Sequence, residues 1–264
     1  MEHKIKIPDE SFIGQKIKGA YEKYLGESNK KPTEVSSEKV KPVSLEDEMD
    51  FYTIEGVKYR NGIYAVDLLK TLLDNGCQKT QDEWSDYSRK AQEQNQFYVG
   101  DFPLYHSLFT SLFRDRDGPN KKTIEEIRGF LKDSFFDHWL MTLTRIKYTP
   151  SGKDTIIHNY GLKDQYEIQE NIVGREIELV KDTSNPKVYQ AILSSDNRAE
   201  IQNIYKWITG KSTYLWRVNQ KPENIDERVA WFYAFSVGAY LSCGRDPRSS
   251  NSALGVRRAK KIGA

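Results

Sequence analysis

Two cysteines, three methionines and four histidines are all that this chain of 264 residues contains of those types. Cys77 and Cys243 are too few for a disulfide framework, and cannot form a zinc site on their own. No stretch approaches ~18 consecutive apolar residues, which excludes a transmembrane helix. The first thirty residues carry Lys, Asp and Glu throughout and lack the apolar run of roughly 7–15 residues that a secretory signal needs. A cytoplasmic location follows by default. The 40 Lys and Arg nearly balance 38 Asp and Glu, too small an excess for a protein built to wrap nucleic acid. There is no GxGxxG, Walker loop, GxSxG or HExxH, and no internal repeat of ~20–50 residues. What remains is polar, with a mean hydropathy of −0.73. It is nevertheless rich in rings: 16 Tyr, 11 Phe and 5 Trp. The length suits one large domain or two small ones.

Residues 1–48 make a poor core. Asn29 to Glu48 is charged and proline-containing and reads as a linker or arm. Ahead of it, Phe12, Ile13, Ile17, Ala20, Tyr21 and Tyr24 fall at roughly helical spacing, suiting either a docked helix or a tail. The globular part, residues 49–264, begins near Phe51. Val57 to Tyr64 reads as a strand or hairpin about Asn61-Gly62. Ala65 to Leu73 reads as a helix closed by Asn75-Gly76. Thr80 and Glu83 form a capping-box pattern that predicts a helix from Gln81 to Gln94. Further helices are predicted over Pro103–Phe113, Thr123–Phe136, Val188–Leu193 and Glu200–Ile208, the last ended by Gly210. Strands are predicted over His138–Tyr148, Thr155–Tyr160 and Thr213–Val218. Glu227 to Ala264 reads as short strand-like pieces.

Several residues resemble sites without making one. Asp115, Asp117 and Gly118 lack the spacing of a calcium loop and read as a helix-ending turn. Asp133, Asp137 and His138 read as solvated surface, and His106 and His158 as structural histidines. Arg257, Arg258, Lys260 and Lys261 read as a solvated basic end; a phosphate or nucleic-acid contact is the alternative.

Val229 to Ala259 is different. It holds no Lys, Glu, Gln or Met, although these make up 60 of the 264 residues and an average window of that length would hold about seven. In their place stand Trp231, Phe232, Tyr233, Phe235, Tyr240 and five serines. Rigid aromatic area beside small polar side chains is the composition of a paratope. The segment also alternates. Ala239, Leu241, Cys243, Arg245 and Pro247 share one parity, which suits packing except for Arg245. Tyr240, Ser242, Gly244, Asp246 and Arg248 share the other, a chemically mixed set.

The ending Ala253-Leu254-Gly255-Val256-Arg257, preceded by Cys243-Gly244-Arg245-Asp246-Pro247, resembles the C-terminal signature of C-type-lectin-fold proteins of the formylglycine-generating-enzyme type. More closely, it resembles the variable proteins of archaeal diversity-generating retroelements. Thr80-Gln81-Asp82-Glu83-Trp84 and TYLWRV are similar to a helix start and an internal strand of such folds. In those systems adenines of a template are randomised during copying. AAY codons so treated never yield Lys, Glu, Gln, Met or Trp, which matches the depletion if Trp231 lies outside the diversified codons.

The resemblance covers about Phe51 to Ala264. It implies an α+β C-type lectin fold, with helices around short antiparallel sheets. The domain's N- and C-terminal strands would pair, bringing VKYRNGIY beside LGVRRA. It implies a non-enzymatic binder with a variable region over about 229–257. The contact residues would be Trp231, Tyr233, Phe235, Ser236, Val237, Gly238, Tyr240, Ser242, Gly244, Asp246, Arg248 and Ser249. Phe232, Ala234, Leu241, Cys243, Leu254 and Val256 would be scaffold. No cofactor or metal is implied. The partner would be a protein or other macromolecule, with no specific nucleic acid and no membrane span. The alternatives are an enzyme of the formylglycine-generating type, for which only Cys243 lies in the right region, and a nucleic-acid binder using the basic end.

Overall fold

The computed structural model describes residues 50–150 and 152–262, with side chains through Arg258. The expected arm and helix of residues 1–48 lie outside them. The described chain is α+β, with five helices and two sheets.

Strand β1 (Phe51–Tyr59) turns into β2 (Gly62–Leu72). The two-residue loop is Arg60-Asn61, one residue earlier than Asn61-Gly62, and Arg60 takes the left-handed conformation at φ 51°. Ala65 to Leu72 is therefore strand, not helix, and Leu73 opens a short 3-10 turn, Leu73–Gly76. Its four consecutive buried residues, Val66 to Leu69, sit in the middle strand of a three-stranded sheet. Burial on both faces removes the alternation that marks a strand, leaving a run that imitates a helix. The last strand, β10 (Leu254–Ile262), pairs antiparallel with β2 rather than with β1. The domain's ends thus meet in one sheet, with Lys261 opposite Tyr64 and Ile262 opposite Ile63.

The helices are α1 (Gln81–Glu93), α2 (Phe102–Asp115), α3 (Lys121–Asp137), α4 (Pro186–Leu193) and α5 (Arg198–Thr209). Each matches a helix expected from the sequence. Thr80 caps α1 in a full capping box, and Gly210 ends α5 at φ 72°. The Asp115–Gly118 segment is a turn, with the Gly118 N–H donating to the Asp115 carbonyl at 2.9 Å.

The second sheet contains β3 (Leu140–Tyr148), β4 (Asp154–His158), β5 (Tyr166–Glu170), β6 (Ile177–Leu179), β7 (Thr213–Trp216), β8 (Asp226–Phe235) and β9 (Gly238–Arg245). Their order is β5-β4-β3-β8-β9-β7-β6. All pairs are antiparallel except β7 with β9, so the expectation of purely antiparallel sheets fails there. One face of this sheet is core. Phe232 of β8 stacks on Phe102 at 4.4 Å and meets Tyr105, Phe109, Phe135 and Tyr205 at 5.5 to 6.1 Å. Three helices thereby hold the central strand. Ala234, Ala239, Leu241 and Cys243 are buried, as are Leu254 and Val256 of β10. The β9–β10 connection is fixed from below: Trp84 Nε1 donates to the Asn251 carbonyl at 2.7 Å, and the Tyr105 hydroxyl to the Leu254 carbonyl at 2.7 Å.

Candidate functional site

The other face of the seven-stranded sheet carries aromatic rings in register. Trp231 of β8 stands opposite Ser242 of β9, which stands opposite Trp216 of β7, which stands opposite Ile177 of β6. The next row is Tyr233, Tyr240, Tyr214 and Leu179. Directly paired residues project from the same side of a sheet, so these rows form one surface. Tyr233 and Tyr240 stack at 4.8 Å, and Tyr240 and Tyr214 at 5.5 Å. Trp139, just before β3, closes the near side against Trp231 at 4.9 Å. Phe235 extends it toward the β8–β9 turn, 5.2 Å from Tyr233.

Burial grades across this surface. Trp231 and Tyr233 form its floor at 2% exposure each. Trp139, Phe235, Ile177 and Leu179 are exposed by 37 to 45%, and Val237 at the turn by 69%. Burial raises the pKa of the Tyr233 phenol, with Tyr240 adding to it; burial and then Tyr214 do the same for Tyr240. Both rings present neutral hydroxyls.

The expected contact residues fall into three sets. Trp231, Tyr233, Phe235 and Tyr240 share the aromatic face, with Ser242 buried between Trp231 and Trp216. Ser236 and Val237 form the exposed two-residue turn, followed by Gly238. A Cβ on Gly238 would stand 2.7 Å from the Tyr214 ring, whereas one on Gly244 would meet nothing within 4 Å. A Cβ therefore fits at position 244 without a clash, and at position 238 it does not. Asp246, Arg248 and Ser249 form a self-contained turn. Arg248 donates to both carboxylate oxygens of Asp246, at 3.0 and 2.7 Å, and its backbone N–H donates to one of them at 2.9 Å. Those bonds hold the Asp246 carboxyl well below the usual carboxylate range. Among the described residues, no ring contact or hydrogen bond joins this turn to the aromatic face.

Trp139, Tyr214, Trp216, Ile177, Leu179 and Arg245 belong to the surface and were not among the expected contacts. For Tyr214 and Trp216 the signal was present: TYLW alternates half-exposed rings with buried Thr213 and Leu215. Arg245 changes sides for a different reason. Val229 pairs with Arg245 and Trp231 with Ser242, so β9 spends one residue more than β8 between those pairs. This bulge at Cys243-Gly244 inverts the parity. The Arg245 guanidinium then lies over Trp139 at 4.9 Å and over Trp231 at 4.8 Å. It forms no ion pair among the described residues, and burial lowers its pKa. Trp231 Nε1 and Arg245 Nε are shielded from solvent and have no hydrogen-bond partner there.

Beside this face, Trp216 and Gly244 help line a shallow polar depression with Glu176, Arg217 and Arg228. Arg217 is paired with Glu178, and Arg228 with Asp226 at 2.8 Å.

The residues set aside in the sequence are accounted for as follows. His158 is buried between Thr144 Oγ1 at 3.0 Å and the Ala191 carbonyl at 2.8 Å. His106 stacks on Tyr205 at 5.9 Å, with its Nδ1 3.3 Å from that residue's hydroxyl. Arg257 and Arg258 are not a solvated end. They lie on β10, paired with Asp67 and Asp164 at 2.9 and 2.8 Å, because the strand continues through them. The side chains of Lys260 and Lys261 lie outside the described residues. No group of three His, Cys, Asp or Glu side chains converges among the described residues. No helix there is long and apolar enough to cross a membrane.

Compared with family models, curated proteins and solved structures, the chain matches none.

Proposed function

We propose that this protein is a non-enzymatic binder, the variable protein of a diversity-generating retroelement. In this reading the described domain is a C-type lectin fold and the aromatic face is its ligand surface. The observation that carries the reading is a coincidence of two independent features. The segment depleted in Lys, Glu, Gln and Met contains most of the hairpin β8–β9, which supplies Trp231, Tyr233, Phe235 and Tyr240 to one partly exposed face. Its opposite face is packed core. Side chains on such a hairpin can change while the backbone stays fixed by Phe232 and its neighbours. The open position at Gly244 suits diversification. Trp231, which randomised AAY codons cannot encode, is part of the buried floor and belongs to the scaffold.

An enzyme reading finds less support. Cys243 is 1% exposed and lies on the core side, and burial pushes its thiol up to about 12. A thiol so placed is a poor nucleophile or ligand.

The neighbouring DNA tests the proposal. It predicts a reverse-transcriptase gene nearby and an imperfect repeat of the 3′ coding region that differs at adenines. Sequencing that finds an identical repeat, or none, refutes it.

A further inference from the structure

We propose that the aromatic face takes a protein segment presenting a carboxylate flanked by apolar side chains, and that Arg245 receives the carboxylate. The inference rests on the reading of this face as the ligand surface, and adds the chemistry of the ligand.

This face holds a charge without an ion-pair partner among the described residues. Arg245 is held over two indole rings, partly desolvated, with no carboxylate paired to it among the described residues. Asp246, the acid whose charge reaches Arg245, is already engaged by Arg248. Taking a cation out of water is unfavourable unless it is paired, and Asp246 offsets that cost only from a distance, which leaves the guanidinium free to receive a carboxylate from outside. Trp231 Nε1 and Arg245 Nε are shielded, so an incoming carboxylate would meet the terminal guanidinium nitrogens of Arg245, which form no hydrogen bond among the described residues and suit its planar geometry.

Size and polarity point the same way. Five neighbouring strand positions, from Trp139 to Leu179, span about 19 Å at ~4.8 Å per strand, the length of about six extended residues. The exposed rim is Val237, Ile177, Leu179 and Phe235. Exposed apolar area of this kind marks macromolecular contacts, and aliphatic rims suit protein side chains. Single-stranded nucleic acid also stacks on aromatic rings, but each phosphate contact needs its own cation. Here Arg217, Arg228, Arg248, Arg257 and Arg258 are all paired internally. Arg245 is the arginine that lies over these rings without an ion pair among the described residues, and one such cation fits one carboxylate.

The test is selection of phage-displayed random dodecapeptides on the full chain, followed by fluorescence polarisation with the recovered peptides. Recovered sequences should share an Asp or Glu between apolar residues. Changing that acid to its amide should weaken binding roughly tenfold or more. Arg245→Gln should weaken the acidic peptide by a similar factor and leave the amide peptide unchanged, closing a double-mutant cycle. Arg245→Lys, which keeps the charge and the stem, should retain part of the preference. Tyr240→Ser should weaken both peptides. Peptides without an acid, acidic peptides indifferent to Arg245→Gln and Arg245→Lys, or no recovered peptide at all would each overturn the proposal. So would retention of oligouridylate in their place. Binding on this face without an acid preference would leave the functional reading standing, since the genomic repeat decides that separately.

Discussion

Phe232 and Tyr240 are aromatic residues on adjacent strands with opposite duties. Phe232 is fully buried among five rings from three helices. Phe232→Ala should cost about 3–5 kcal/mol and lower Tm by roughly 10 °C. Tyr240 touches solvent and gains from stacks on Tyr233 and Tyr214. Tyr240→Ser should cost about 1 kcal/mol, a Tm drop of ~2–4 °C, while altering what the protein binds. Calorimetry separates the two; a collapse on Tyr240→Ser would make that residue core and remove it from the surface. The glycines offer a second contrast. Gly238→Ala forces the Tyr214 ring off its 2.7 Å approach and out of the stack at 5.5 Å, at about 1–3 kcal/mol. Gly244→Ala meets nothing and should stay within about 0.5 kcal/mol of the parent in urea unfolding.

At the scale of elements, what could be read from the sequence was what is decided locally. The helix at Gln81 was legible because Thr80 and Glu83 satisfy each other's backbone donors within three residues: Thr80 N–H to Glu83 Oε2 at 2.7 Å, Glu83 N–H to Thr80 Oγ1 at 3.3 Å. Thr80→Ala should therefore cost about 1 kcal/mol, seen as a lower urea midpoint with an unchanged slope. The strand β2 was not legible. Its pattern is set by two neighbours distant in sequence, β1 and β10, and two-sided burial erased the period of two. The hairpin β8–β9 was half legible. Tyr233, Phe235 and Tyr240 follow simple alternation onto the exposed face, but Arg245 does not. One extra residue at Cys243-Gly244 reverses its side, and no composition rule marks where a bulge falls. Trp139, Tyr214 and Trp216 were invisible as a group because only the sheet order brings β3, β7 and β8 together. The cation and three of the seven rings of this surface are thus set by the bulge and the sheet order.

Across the whole molecule, the buried titratable groups Asp101, His106 and His158 have no hydrogen bond or ring contact with the aromatic face among the described residues, so stability can be tuned by pH without touching the ligand surface. Asp101 caps α2 at 0% exposure, accepting from the Leu104 N–H at 2.8 Å and the Tyr59 hydroxyl at 2.8 Å. Burial pushes its carboxyl up to about 7, with Tyr59, Leu104 and Arg258 opposing and Asp164 adding. Its folded pKa lies above its unfolded value, so the native state holds this proton more tightly. That contribution is complete below about 4 and is lost as pH rises through 7. His106 and His158 act in the other direction: burial pushes them down to about 3 and about 4. Their contribution is complete above ~6.5 and is lost as pH falls through those values. Between about pH 4 and 6.5, then, these three groups together leave the unfolded state holding about one proton more, and stability rises with pH. Asp101→Asn keeps a side-chain acceptor for the α2 cap and removes the opposing titration. Stability of the variant relative to the parent should climb with pH between about 4 and 7, by on the order of 1 kcal/mol per pH unit, and level off above. Urea unfolding of both proteins at four or five pH values measures the difference directly. A flat difference would mean that Asp101 is ionised in the folded protein, with the hydrogen bonds from Leu104 and Tyr59 outweighing burial.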